Sequence, residues 1–90
     1  MDISIRKVQL HMDKNEIELP LGAEILSTAV QKGHMVMWFL FDAIEKRTVL
    51  RTFHAKMTGV TFDSRKAEVF YGTLLLDMDN FVVHIFEEIT

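Results

Sequence analysis

Seven consecutive apolar residues, Met35-Val-Met-Trp-Phe-Leu-Phe41, constrain this chain more than anything else in it. The run is too short to cross a bilayer and is rich in aromatic and β-branched residues, so it reads as a β-strand covered on both faces. It is preceded by the turn candidate Gln31-Lys-Gly-His34 and closed by Asp42. A central strand of this kind needs neighbours on each side, and the rest of the chain supplies candidates.

Ile3 and Ile5 alternate with polar residues, then Val8, Leu10 and Met12 alternate in the opposite phase, which predicts a first strand with a bulge or break near Arg6-Lys7. Asp13-Lys-Asn15 reads as a turn. Ile17 and Leu19 alternate with Glu16 and Glu18 up to Pro20, the pattern of an edge strand with one wet face. Residues 22–31 admit a short helix through Ala23, Glu24 and Leu26, but Ser27-Thr-Ala-Val30 leads straight into a tight turn, which favours a hairpin strand. Asp42 to Thr48 is a polar loop. Phe53, Ala55 and Met57 then alternate with Thr52, His54 and Lys56, Thr58-Gly59 breaks that strand, and Asp63-Ser-Arg-Lys66 makes a second polar connection. Two last strands, Ala67 to Leu76 and Phe81 to Ile89, are joined by Asp77-Met-Asp-Asn80. The fold class is all-β, a small antiparallel sandwich or partly closed barrel of about six to seven strands in one domain spanning residues 1–90.

Composition narrows the function more than it names it. With no cysteine there is no disulfide, thiolate or cysteine zinc chemistry, which fits a reducing compartment. The first residues lack the apolar core of a signal peptide, so a cytoplasmic protein is expected, with neither secretion nor membrane insertion. A net charge of −3 argues against general nucleic-acid binding.

Several residues could still carry chemistry. Asp77, Asp79 and Asn80 offer oxygen ligands to a hard cation, although three at one tip are few and turn geometry explains them. His11, His34, His54 and His84 lack zinc-motif spacing; His84, between Val83 and Ile85, must find a hydrogen-bond partner or face water. Lys46, Arg47 and Arg51 could join Arg65 and Lys66 in an anion-binding rim, with Tyr71 and Trp38 stacking a base, against the simpler reading of a solvated charged face. Glu87 and Glu88 read as residues that keep a terminal strand soluble. No nucleophile, general acid/base pair, phosphate loop or cofactor motif emerges, so an enzyme is not expected and neither a metal nor a cofactor is called for.

What stands out is surplus apolar strand surface. Met35–Phe41 is apolar on both faces, as are Leu74–Leu76 and Phe81–Phe86, whereas a two-layer domain buries one face of each sheet. A second copy of the chain or another protein could cover Met35, Met37, Trp38, Phe39, Phe41 and Phe86.

The ordered segments Glu16-Ile-Glu-Leu-Pro-Leu-Gly-Ala23, Ile25-Leu-Ser27, Gln31-Lys-Gly33, Trp38 with Asp42, Arg51-Thr-Phe53, Thr58-Gly59, Tyr71-Gly-Thr73 and His84-Ile-Phe-Glu87 form a recognisable series. Over roughly residues 15 to 87 the chain resembles an uncharacterised family of small proteins from tailed phages and prophages, a domain of unknown function. Two positions depart from that pattern. The family's opening Lys-Tyr-Pro strand is replaced by Val8-Gln-Leu-His11, and Val60 stands where a histidine usually follows the Thr-Gly pair. The resemblance implies phage origin and residence in a bacterial host cytoplasm, and it brings no activity. It leads to the expectation of a non-enzymatic, homo-oligomeric binding protein that inhibits or sequesters a host defence factor. A sponge for a nucleotide signal, held by Arg47, Arg51, Arg65, Lys66, Tyr71 and His84, is the alternative, and a virion or assembly accessory is a third.

Overall fold

The computed structural model describes residues 2–62 and 67–89. Its seven strands are β1 (Ile3–Leu10), β2 (Asp13–Pro20), β3 (Glu24–Gln31), β4 (His34–Asp42), β5 (Thr48–Met57), β6 (Ala67–Leu76) and β7 (Phe81–Ile89). They form two antiparallel sheets, one ordered β1-β4-β3 and the other β2-β5-β7-β6. The Cα envelope is 15 Å thick in its shortest dimension, the depth of two stacked sheets. The fold is an all-β sandwich, and its sheets do not close into a barrel.

Pairing register decides which side chains face inward, because cross-strand partners share a face and neighbours along a strand alternate. In the three-stranded sheet Met35, Met37, Phe39 and Phe41 of β4 point into the sandwich, beside Val8 and Leu10 of β1 and Ile25 and Val30 of β3. Leu19, Phe53, Ala55, Leu74, Val83 and Ile85 meet them from the four-stranded sheet. Met37, Phe53, Ala55, Val83 and Ile85 have no solvent exposure at all.

The run 35–41 is therefore a central strand, as the sequence predicts, but its two faces fare differently. Its outer face is covered within the chain only at Val36, while Trp38 and Leu40 are half-buried. A hydrogen bond from Lys7 Nζ on β1 to Gln31 Oε1 on β3, 2.6 Å long, spans β4 on that side.

Residues 24–31 form strand β3 and not a helix. Lys32 (φ 51°) and Gly33 (φ 80°) make the two-residue turn that folds β3 onto β4, the positive dihedrals matching the twist of a tight hairpin. Two expectations are corrected. The phase change in β1 is neither a bulge nor a break: Ile3 to Leu10 pairs with β4 without a register shift, and the apolar residues simply move from the outer face (Ile3, Ile5) to the inner (Val8, Leu10). The first turn lies at His11-Met12, not at 13–15. Asn15, 7% exposed, closes it by accepting from the His11 amide and donating to the His11 carbonyl, both at 2.8 Å.

The two sheets approach each other along β3 and β6. A bulge between Phe70 and Gly72 turns β6 there, and the Thr28 hydroxyl donates to the Tyr71 carbonyl at 3.2 Å. Gly72 suits this place because its φ of 137° strains any L side chain, and a Cβ there would crowd Thr28 Oγ1 at 3.1 Å.

Candidate functional site

Strand β7 carries the polar chemistry of the molecule on both its faces. Val83, Ile85 and Glu87 point inward; Val82, His84, Phe86 and Glu88 point outward.

On the inner face, Arg51 of β5 grips Glu87 in two parallel bonds, Nε to Oε2 at 2.6 Å and Nη2 to Oε1 at 2.7 Å. Its Nη1 donates to the Ala23 carbonyl at 2.6 Å, and Tyr71 of β6 donates its hydroxyl to Glu87 Oε1 at 2.7 Å. The Glu87 side chain is only 5% exposed. Burial pushes the Glu87 carboxyl up, but bonds from Arg51 and Tyr71 outweigh this and hold it below the ordinary carboxylate range. Burial and the adjacent Glu87 push the Tyr71 phenol up to about 12. The bond to Glu87 raises Arg51 further above its already high value. A shallow open depression of about 260 Å³ lies beside the pair, lined by Val49, Leu50, Arg51, Thr52, Glu87, Glu88 and Ile89.

On the outer face the residues fall into cross-strand rungs. His54, Phe86 and Phe70 share one rung, and Lys56, His84 and Thr73 the next; Val82 and Leu75 follow. Phe86 lies 5.3 Å from Phe70 and 6.4 Å from Phe62, centre to centre, in tilted packing. Lys56 Nζ sits 5.5 Å from the centre of the Phe62 ring. Phe62, Phe70 and Leu75 are respectively 41%, 55% and 50% exposed. Around this apolar centre His54 Nε2 donates to Glu88 Oε1 at 2.9 Å, and His84 is held between the Thr58 and Thr73 hydroxyls at 2.7 and 3.0 Å. His54 Nδ1 is buried and has no hydrogen-bond partner among the described residues.

These positions redistribute the residues singled out in the sequence. Arg51 and Tyr71 do come together, but around Glu87 in the sandwich interior, where both are already engaged. Arg47 lies in the β4–β5 loop, where it pairs with Glu45 at 2.7 Å. His84 is on the opposite face of β7 from Tyr71, and its two threonine partners answer its need for hydrogen bonds. Trp38 is on the outer face of the other sheet, so it cannot stack a base together with Tyr71. Arg65 and Lys66 lie outside the described residues. Met35, Met37, Phe39 and Phe41 are not on a surface: all four are core residues at 6% exposure or less, because their parity faces the second sheet. Of the proposed interface set, Trp38 and Phe86 lie on outer faces, half-buried. Asp77, Met78 and Asp79 all have positive φ, and Asn80 donates its amide to the Asp77 carbonyl at 3.0 Å, which is the work of a turn.

Glu87 is the residue that sequence reasoning misplaced. It reads as a solubilising terminal acid, yet it shares parity with Val83 and Ile85, and that alternation marks it as inward-facing.

A family model described as a domain of unknown function, DUF7352, matches residues 1–90. The chain belongs to this family. No curated protein and no solved structure matches it. No helix among the described residues is long and apolar enough to cross a membrane.

Proposed function

We propose that this protein is a non-enzymatic binding module that engages another protein through the outer face of its four-stranded sheet. The observation that carries this reading is the cluster of Phe62, Phe70 and Phe86, an exposed aromatic centre rimmed by Lys56, the His54–Glu88 pair and the His84–threonine bridge. An apolar, aromatic centre inside a polar rim is the anatomy of a protein interface, in which a few anchor side chains provide most of the affinity. A polyanion suits this face less well, since Glu16 and Glu18 of β2 and Glu68 of β6 lie on it together with Glu88.

The resemblance to small phage proteins supports a finer version. The partner is a defence factor of a bacterial host, and the chain inhibits or sequesters it in the host cytoplasm. A nucleotide-holding rim has less behind it, because Arg47 and Arg51 are each neutralised by a carboxylate of the same chain. The test is affinity capture from host lysate with the native protein and with Phe70→Asp, a substitution at an exposed position. A partner retained by the native protein and lost by the variant supports the proposal. Capture that is absent, or indifferent to Phe70→Asp, overturns it.

A further inference from the structure

The sandwich has four sheet edges, and three of them carry devices that discourage further pairing. The β3 and β6 edges face each other, and each is broken by a bulge, at Ile25/Ser27 and at Phe70/Gly72. The β2 edge carries Lys14, Glu16 and Glu18 and ends in Pro20, which has no amide to donate. β1 carries charge only at its middle, at Arg6 and Lys7, and its opening Ile3-Ser-Ile5 is unguarded, with Ile3 48% and Ile5 57% exposed.

Which backbone groups of β1 are free follows from one bond. The Asp2 carbonyl accepts from the Ala43 amide at 2.6 Å, so the even-numbered residues turn their amides and carbonyls toward β4 and the odd-numbered ones turn theirs away. Ile3, Ile5 and Lys7 therefore present unpaired donors and acceptors at an open edge.

We infer that this edge pairs with the same edge of a second copy, joining two three-stranded sheets into a continuous six-stranded one. This is independent of the binding face proposed above, which lies on the other sheet. The register follows from charge. In an antiparallel pair about a two-fold axis normal to the sheet, odd residues must meet odd and even meet even, since opposed residues share a face. Centring the axis on Ser4 sets Ile3 against Ile5 of the partner on the outer face and Asp2 against Arg6 of the partner on the inner. Both cross-strand contacts are favourable, and symmetry repeats each of them. Centring on Ile5 instead sets Ile3 against Lys7 and leaves Asp2 opposite Val8. Centring on Arg6 opposes two arginines. The chain is self-complementary in the first register alone of these three. Arg6 is exposed, with its guanidinium 4.6 Å from the Phe41 ring centre on β4, and pairing with Asp2 of the second copy would swing it from that ring toward the edge.

Sedimentation velocity across a concentration series, with hydrogen exchange at the Ile3 and Ile5 amides, tests the inference. Native protein should form dimers whose Ile3 and Ile5 amides become protected as concentration rises. Asp2→Arg or Arg6→Asp alone should weaken dimerisation at least about tenfold, because each reversal acts twice across the axis, and combining the two should restore it. Ile5→Pro removes an amide that β4 does not use, so it should give a folded monomer, with circular dichroism reporting the fold. A native protein that stays monomeric overturns the inference. So does a dimer insensitive to both the charge reversals and Ile5→Pro. If Ile5→Pro unfolds the chain, the charge-reversal pair decides alone.

Discussion

The two faces of β7 are adjacent in sequence and opposite in treatment. Inward, Glu87 is a carboxylate in the sandwich interior with all its demands met: two bonds from Arg51 and one from Tyr71. Outward, Phe86 is a large apolar ring left half-buried beside two more exposed rings. The usual sorting of polar out and apolar in is reversed at these neighbouring positions. A saturated buried ion pair tends to hold structure in place, whereas uncovered aromatic rings are available to something else. The inner cluster is accordingly architecture, and the outer one is the surface proposed for binding.

The contrast breaks most visibly at Glu87. Glu87→Ala should cost about 3–5 kcal/mol of stability in urea unfolding, because the Arg51 guanidinium, with an 18% exposed side chain, would lose its counter-charge. Replacing both partners, as in Arg51→Met with Glu87→Leu, should recover most of that loss, since an ion pair of this kind costs much of its attraction in desolvation. If the double variant stays as unstable as Glu87→Ala, the cluster does more than hold the sheets together. Phe53→Ala, at a ring with no exposure, belongs to the same size class at about 3–5 kcal/mol.

The pH dependence sharpens the same point. Glu87 has its carboxyl held below the ordinary range in the folded protein, so its contribution is present above the ordinary carboxylate pKa and is lost as pH falls through the lowered value. Tyr71 is raised, so its contribution is complete below 10 and fades as pH climbs from there toward about 12. Tyr71→Phe should lose about 1.5–3 kcal/mol at neutral pH, as for a hydrogen bond to a charged group, and should flatten the alkaline limb of the stability curve while leaving an acid limb. An unchanged alkaline limb in the variant would place that titration elsewhere.

Much of the fold was legible in the sequence, and the reason is periodicity. The edge strand ending at Pro20, the hairpin through Lys32-Gly33 and the closing hairpin over Asp77–Asn80 each combine an alternating run with a turn residue of defined conformation. What stayed hidden depended on which side of each strand the second sheet would occupy. Met35, Met37, Phe39 and Phe41 are as apolar as Val36, Trp38 and Leu40, and a run apolar on both faces does not announce which one is inward. The candidate site suffered more. Arg51 and Glu87 are 36 residues apart, and their bond exists only because β5 and β7 are neighbours in register. The parity of Glu87 with Ile85 was visible, but it says a carboxylate is buried without saying what meets it.

The smallest expected effect is also the one that separates the two faces most cleanly. Phe70→Ser removes a ring that is 55% exposed and packs 5.3 Å from Phe86. Losing one tilted aromatic contact and a partly buried area should cost about 1 kcal/mol, a fraction of the loss at Phe53. If the outer face is the working surface, this same substitution should abolish partner capture while the protein remains folded. Phe53→Ala should reduce capture only in proportion to the unfolded fraction it creates. Measured side by side, the two phenylalanines thus give opposite ratios of binding loss to stability loss. Equal ratios would mean that the exposed rings, like the buried ones, serve only to hold the sandwich together.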